Sequence, residues 1–201
     1  AAEGRGLTRE ETQDFGQCIA LSGQRLLTVA ENLLLLDSVT RLMESASLKQ
    51  PAVASTKWGT EVEREIARVA ETYGRQTDIA VDISPVPLVL PDASLARAFG
   101  TLVDNACKFS LPGTRIVVTG RKQAGCYQLV VVDQGRGMTD EQIRSVGLFR
   151  QFDRDKYEQQ GLGIGLEIAF RYARLAGAVL VLHANAPGCG LIAGFAFDGI
   201  S

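Results

Sequence analysis

Histidine is almost absent from this 201-residue chain, His183 being the only one. Cysteine is sparse too: Cys18, Cys107, Cys126 and Cys189 are scattered and form no Cys-x-x-Cys pair. A zinc centre needs clustered thiolate and imidazole ligands, and this inventory argues against one. The four cysteines are expected as reduced thiols of a cytoplasmic protein, packed as small apolar side chains. Long apolar runs are also lacking, since residues 33–36 and 178–182 fall far short of the roughly 20 that cross a bilayer. No charged start followed by an apolar centre marks a secretion signal. The chain begins without Met and is read as a piece of a longer protein, with room for a membrane anchor upstream. Strong charge of either sign is missing, the net value being −2, and with it the usual electrostatic case for a nucleic-acid partner.

What is present is ordinary for a globular protein, with 46% hydrophobic and 22% charged residues, enough for one well-buried domain plus an appendage. Residues 8–47 contain no proline. Phe15, Ile19, Ser22, Leu26, Val29, Leu33, Leu36, Thr40 and Met43 recur on alternating three- and four-residue steps, the seam of a helical bundle. Leu27 and Leu34 add a second apolar flank, which a four-helix bundle would bury. The competing reading is a lone helix lying on the neighbouring domain. Residues 51–60, with Pro51 and small side chains, are expected as a linker between an N-terminal helical region, 1–50, and an α/β domain, 61–201. In that domain Val62, Ile66, Val69 and Tyr73 mark one helix face. Leu95, Phe99, Leu102, Val103 and Ala106 mark another, capped by Asp92 or Ser94. A third helix is expected over 166–176. Strands are expected at 78–83, 88–90, 115–121, 128–133, 178–184 and 191–197, giving a mixed sheet with helices packed on one face.

Four separated elements have plausible chemistry. Asp104-Asn105-Ala106-Cys107-Lys108 ends an otherwise apolar helix. The Asn105 oxygen is a hard ligand that suits Mg²⁺, and Lys108 can neutralise phosphate oxygens. Asp133-Gln134-Gly135-Arg136-Gly137 follows an apolar strand, so a carboxylate stands at the strand end, able to accept from an exocyclic amine such as that of adenine. Gly135 and Gly137 let the backbone pass close to a flat base. In 148–154, Phe149 and Phe152 could anchor a loop whose Arg150, Arg154 and Lys156 swing over phosphates. Gly161-Leu162-Gly163-Ile164-Gly165-Leu166 then leads into a helix and leaves backbone N–H groups free for phosphate. It is neither a Rossmann fingerprint nor a Walker loop. Each element alone also fits a solvent-facing helix end, a common turn or a surface helix.

In this order the four resemble the N, G1, F and G2 boxes of the sensor histidine kinases, and the resemblance covers nearly the whole chain. It implies a Bergerat-type α/β sandwich, shared with gyrase, Hsp90 and MutL-type ATPases. Residues 12–47 are similar to the second helix of the dimerisation and histidine-phosphotransfer region. The resemblance implies ATP and Mg²⁺ as cofactors, with Asn105 as metal ligand and Lys108 on phosphate. It further implies Asp133 on the adenine amine, in a pocket shaped by Gly135 and Gly137. Phe149, Phe152 and Arg154 would belong to the lid, and Gly161, Leu162, Gly163, Ile164, Gly165 and Leu166 would border the phosphates. The expected partners are a second copy through the N-terminal helix and the receiver domain of a response regulator, with no nucleic acid and no membrane contact by this stretch of chain.

Hydrolytic members of the wider superfamily place a Glu four residues before the metal-binding Asn as general base. Here that position is Thr101, which argues against efficient ATP hydrolysis and leaves phosphotransfer open; most histidine kinases have Asn there, so Thr101 departs from both patterns. The expected reaction is transfer of the γ-phosphoryl group to a histidine on the first dimerisation helix, upstream of the matched region. His183, in an expected strand, is read as structural. A degenerate nucleotide-binding interaction module without kinase activity is the alternative. A serine kinase like the anti-sigma factors fits the fold but not the long N-terminal helix.

Overall fold

The computed structural model describes residues 8–45, 53–90, 94–123, 125–144, 164–185 and 190–199. The chain runs α1 (Arg9–Ser45), α2 (Lys57–Thr72), β1 (Ile79–Ile83), α3 (Ser94–Phe109), β2 (Ile116–Gln123), β3 (Cys126–Val132), α4 (Asp140–Arg144), α5 (Ile164–Leu175), β4 (Val179–Ala184) and β5 (Leu191–Asp198). The strands form one sheet in the order β1-β2-β3-β5-β4, with β1 and β2 parallel and the other pairs antiparallel. β2 alternates buried with half-buried positions, as a strand with one covered face should. Ile116, Val118, Leu129, Val131 and Phe195 meet Val62, Ile66, Phe99, Leu102, Val103, Ile168 and Tyr172 of α2, α3 and α5 in one core. This is the α+β sandwich expected from the sequence.

Several boundaries differ from expectation. α2 begins at Lys57, inside the stretch expected as linker, because Trp58 is an anchor. Its indole donates to the Val86 carbonyl at 2.9 Å and meets Tyr127 edge-on, ring centroids 5.4 Å apart. The strand expected at 88–90 is a single antiparallel bridge between Ser55 and Leu88. α4, not foreseen, opens with a reciprocal cap: Gln142 N–H donates to the Thr139 hydroxyl and Thr139 N–H to the Gln142 side-chain oxygen.

α1 departs most instructively. Its last turns lie on the domain through Leu35 and Val39, both buried. Arg171 of α5 bridges the seam, donating to Glu167 at 2.6 Å and to the Thr40 hydroxyl at 2.9 Å. Neither Leu35 nor Val39 belongs to the expected seam, whose members Leu36 and Met43 are partly buried against the same core. At 3.6 residues per turn, Phe15, Ile19, Leu26 and Leu33 lie roughly on the opposite side of the helix, and all four are exposed. The helix therefore carries two apolar faces, one docked and one open. One 18-residue window of α1 is also long and apolar enough to cross a membrane by length and composition; counting uninterrupted apolar runs misses it, because Arg25 and Glu31 divide the stretch.

Candidate functional site

The site gathers at the C-terminal part of α3, the end of β3 and the start of α5. Arg75, just past α2, sets the first of these. Its guanidinium is buried and donates to the carbonyls of Cys107 (3.2 Å) and Ser110 (3.1 Å), to the Ser110 hydroxyl (2.9 Å) and to the Thr114 carbonyl (2.8 Å). It also pairs with Asp78. A cation held against the last carbonyls of a helix meets the negative end of its dipole. The helix end that carries Asn105 and Lys108 is fixed by this clamp. Burial pushes the neighbouring Cys107 thiol up to about 11, so it stays protonated and inert.

On α3, Asn105 is half-buried and Asp104 beside it is fully engaged. Tyr73 donates its phenol to Asp104 Oδ1 at 2.6 Å, and the Lys108 ammonium pairs with Oδ2. Burial, then the adjacent Asp104 charge, drives the Tyr73 phenol well above its ordinary range, so it remains a donor. Lys108 thus rests on Asp104 in this structure; a phosphate would have to draw it away or share it.

Asp133 follows β3 and is 6% exposed. Its Oδ1 accepts from Gly135 N–H at 2.7 Å and Leu191 N–H at 3.3 Å. Oδ2 accepts no hydrogen bond from the described residues. Burial holds this carboxyl above the usual carboxylate range, against the pull of the two N–H donors. The surrounding backbone is pressed close. A Cβ on Gly135 would stand 2.2 Å from the Phe109 carbonyl oxygen, and one on Gly137, where φ is +67°, would stand 2.8 Å from that of Gly190. The β4–β5 end joins this turn unforeseen: Asn185 donates to the Asp133 carbonyl at 3.2 Å, and a Cβ on Gly190 would fall 2.0 Å from the same oxygen. The Asn and Gly pair around a strand turn was the signal available in the sequence.

α5 starts at Ile164, so Ile164, Gly165 and Leu166 form its first turn, whose N–H groups have no acceptor within the helix. Gly165 lies on α3: a Cβ there would be 3.4 Å from Thr101 Cβ and 3.6 Å from Asn105 Nδ2. The structure therefore brings Asn105 and Thr101 to Gly165, while Lys108, on the same helix, pairs with Asp104, and the turn that holds Asp133, Gly135 and Gly137 packs on Phe109 at the end of that helix. Phe149, Phe152, Arg154, Gly161, Leu162 and Gly163 lie outside the described residues. Exposed His183 sits on the edge strand β4.

A mixed sheet covered by α2, α3 and α5, with a buried Asp at the end of its third strand, is the Bergerat type of ATP-binding sandwich. Residues 92–197 match the family of histidine kinase-, DNA gyrase B- and HSP90-like ATPases. The chain belongs to that family and carries the histidine kinase-like ATPase domain of sensor kinases. The signal transduction histidine-protein kinase/phosphatase MprB of Mycobacterium avium is 33% identical over 132 residues, 63% of this chain and 24% of MprB. The histidine protein kinase DivJ of Caulobacter vibrioides is 23% identical over 174 residues, 86% of this chain and 29% of DivJ. The chain thus spans about a quarter of the length of these relatives. Among solved structures, mycobacterial sensor histidine kinase MprB superposes with a TM-score of 0.61 at 26% identity, covering 70% of this chain and 95% of that one. Full-length ShkA in complex with AMPPNP, at 19% identity and a TM-score of 0.63, covers 98% of this chain and 41% of its own, and shares the fold.

Proposed function

We propose that this domain binds ATP and transfers its γ-phosphoryl group to a histidine on a dimerisation helix, for relay to a response regulator receiver domain. The observation that carries the reading is the close approach of Gly165, where a Cβ would stand 3.6 Å from Asn105 Nδ2, together with a buried Asp133 whose Oδ2 accepts no hydrogen bond from the described residues. Asp133 takes the exocyclic amine of adenine, and Gly135 and Gly137 let the backbone of that turn pack against Phe109 and Gly190. The first turn of α5 and Lys108 hold phosphate. Asn105 fits a magnesium ion as a single hard oxygen, the rest of the shell coming from phosphate and water; bound there, the ion would neutralise phosphate charge. An imidazole is already a nucleophile, so positioning and charge neutralisation suffice. The absence of a carboxylate at Thr101 favours transfer over hydrolysis. The acceptor lies outside His183, and the chain divides into a helical region at 1–50 and a catalytic domain that already includes α2 from Lys57.

The outward stripe Phe15, Ile19, Leu26 and Leu33 is proposed to pack on a second copy. Burial of that stripe in a bundle is favoured over lipid by Arg25 and Glu31 near the middle of α1, since a charged residue at a bilayer centre costs about 3 kcal/mol. No nucleic-acid contact is proposed.

Calorimetric titration with ADP and a non-hydrolysable ATP analogue, with and without Mg²⁺, tests the reading. Wild type is expected to bind at micromolar level, and Asn105→Ala to lose most of the Mg²⁺ dependence, about tenfold in affinity. A folded wild type that binds neither nucleotide sinks the kinase reading and leaves the interaction-module alternative, which Thr101 motivates.

A further inference from the structure

Thr101 occupies the position from which hydrolytic relatives are expected to activate water, yet its hydroxyl is used for something else. The residue is buried, and Oγ1 lies 2.8 Å from the Ala98 carbonyl and 3.0 Å from that of Gly165. The first contact is the local back-bond a helical threonine makes with its own preceding turn. The second spans 64 residues and joins α3 to the first turn of α5. At the same place a Cβ on Gly165 would come into van der Waals contact with Thr101 at 3.4 Å and Asn105 at 3.6 Å. We propose that Thr101 is a positioning residue: its hydroxyl latches the Gly165 carbonyl and so holds the N–H groups of the first α5 turn over Asn105.

The inference rests on the proposed phosphate role of that turn. Its logic is geometric. The Gly165 carbonyl points along α5, away from the helix start, so a donor on α3 that grips it orients the free N–H groups at the opposite end of the same turn. A side chain of similar shape without the hydroxyl leaves this orientation to packing alone. Neither carbonyl is orphaned by that change, because each keeps the N–H four residues on within its own helix. Loss of the hydroxyl should therefore spare the fold and affect phosphate binding.

The test compares Thr101→Val and Thr101→Ser with wild type in the full chain, titrating ADP, a non-hydrolysable ATP analogue and adenosine. Thr101→Val is expected to weaken the two phosphate-bearing ligands about tenfold, the worth of one hydrogen bond of about 1.4 kcal/mol. Adenosine, held at Asp133, should bind it as it binds wild type, and Thr101→Ser should stay within about twofold of wild type for all three. Equal affinities of wild type and Thr101→Val for the ATP analogue overturn the latch while leaving the nucleotide site standing. Parallel loss of adenosine and ATP analogue in Thr101→Val, or no rescue by Thr101→Ser, also overturns it, since either marks a packing effect. Wild type that binds no nucleotide overturns both the latch and the function it rests on.

Discussion

Asp133→Asn is expected to abolish adenine-nucleotide binding while leaving the unliganded fold at least as stable as wild type. Asn keeps an oxygen for the N–H groups of Gly135 and Leu191, so the turn after β3 retains its partners. It places an amide N–H₂ where Oδ2 stands, and two donors then face each other across the adenine amine. Losing a charge-assisted hydrogen bond in a buried site and opposing two donors costs about 3 kcal/mol or more, over a hundredfold in affinity. Stability moves the other way. Burial raises the Asp133 carboxyl above its unfolded value, so the folded chain holds this proton more tightly than the unfolded one. The site therefore costs stability at neutral pH, and that deficit disappears as pH falls through the raised folded pKa and below the unfolded one. Melting curves of the two proteins across pH 3–8 check this: the variant's advantage should shrink towards acid. Nucleotide affinity of wild type should fall over the same window, because the protonated carboxyl no longer presents two acceptor oxygens. A variant that binds ADP as wild type does would remove Asp133 from the adenine site.

Arg75→Ala is expected to destabilise the domain by about 3–5 kcal/mol, the usual consequence of breaking a buried charge network by removing one partner. The substitution leaves Asp78, the Ser110 side chain and three backbone carbonyls without the donor that joins them. For a domain of this size that is roughly 10 °C in melting temperature. Arg75→Lys restores the charge but not the planar fork, and should recover only part of the loss. Denaturant unfolding reads both variants directly. A change below about 1 kcal/mol for Arg75→Ala would show that α3 holds its C-terminal end without the clamp. Because this end carries Asn105 and Lys108, the surviving folded fraction should also bind nucleotide more weakly.

The elements were legible where one physical signal dominates. Val62, Ile66 and Val69 on α2, and Leu95, Phe99, Leu102, Val103 and Ala106 on α3, are buried as their periodicity demands. Asp133 at a strand end and the glycine-led start of α5 were visible for the same reason: a turn or a helix start imposes residue types on its own few positions. Trp58 was hidden because small residues and a proline around it imitate a linker, while its indole bonds a carbonyl 28 residues away.

Local pattern by itself determined which segments become helix or strand, which faces are apolar, and which polar residues stand out as chemistry. It also determined that α1 carries more apolar surface than one neighbour can cover. Only the tertiary structure decided which face of α1 docks, through Leu35 and Val39, and which stays open. It alone brought Arg75 to the end of α3, Asn185 and Gly190 to Asp133, and the Thr101 hydroxyl to Gly165. Periodicity and capping act over a few residues, so a sequence carries them in the open. Contacts between residues tens of positions apart depend on how helices and strands pack, and the packed chain alone defines those distances.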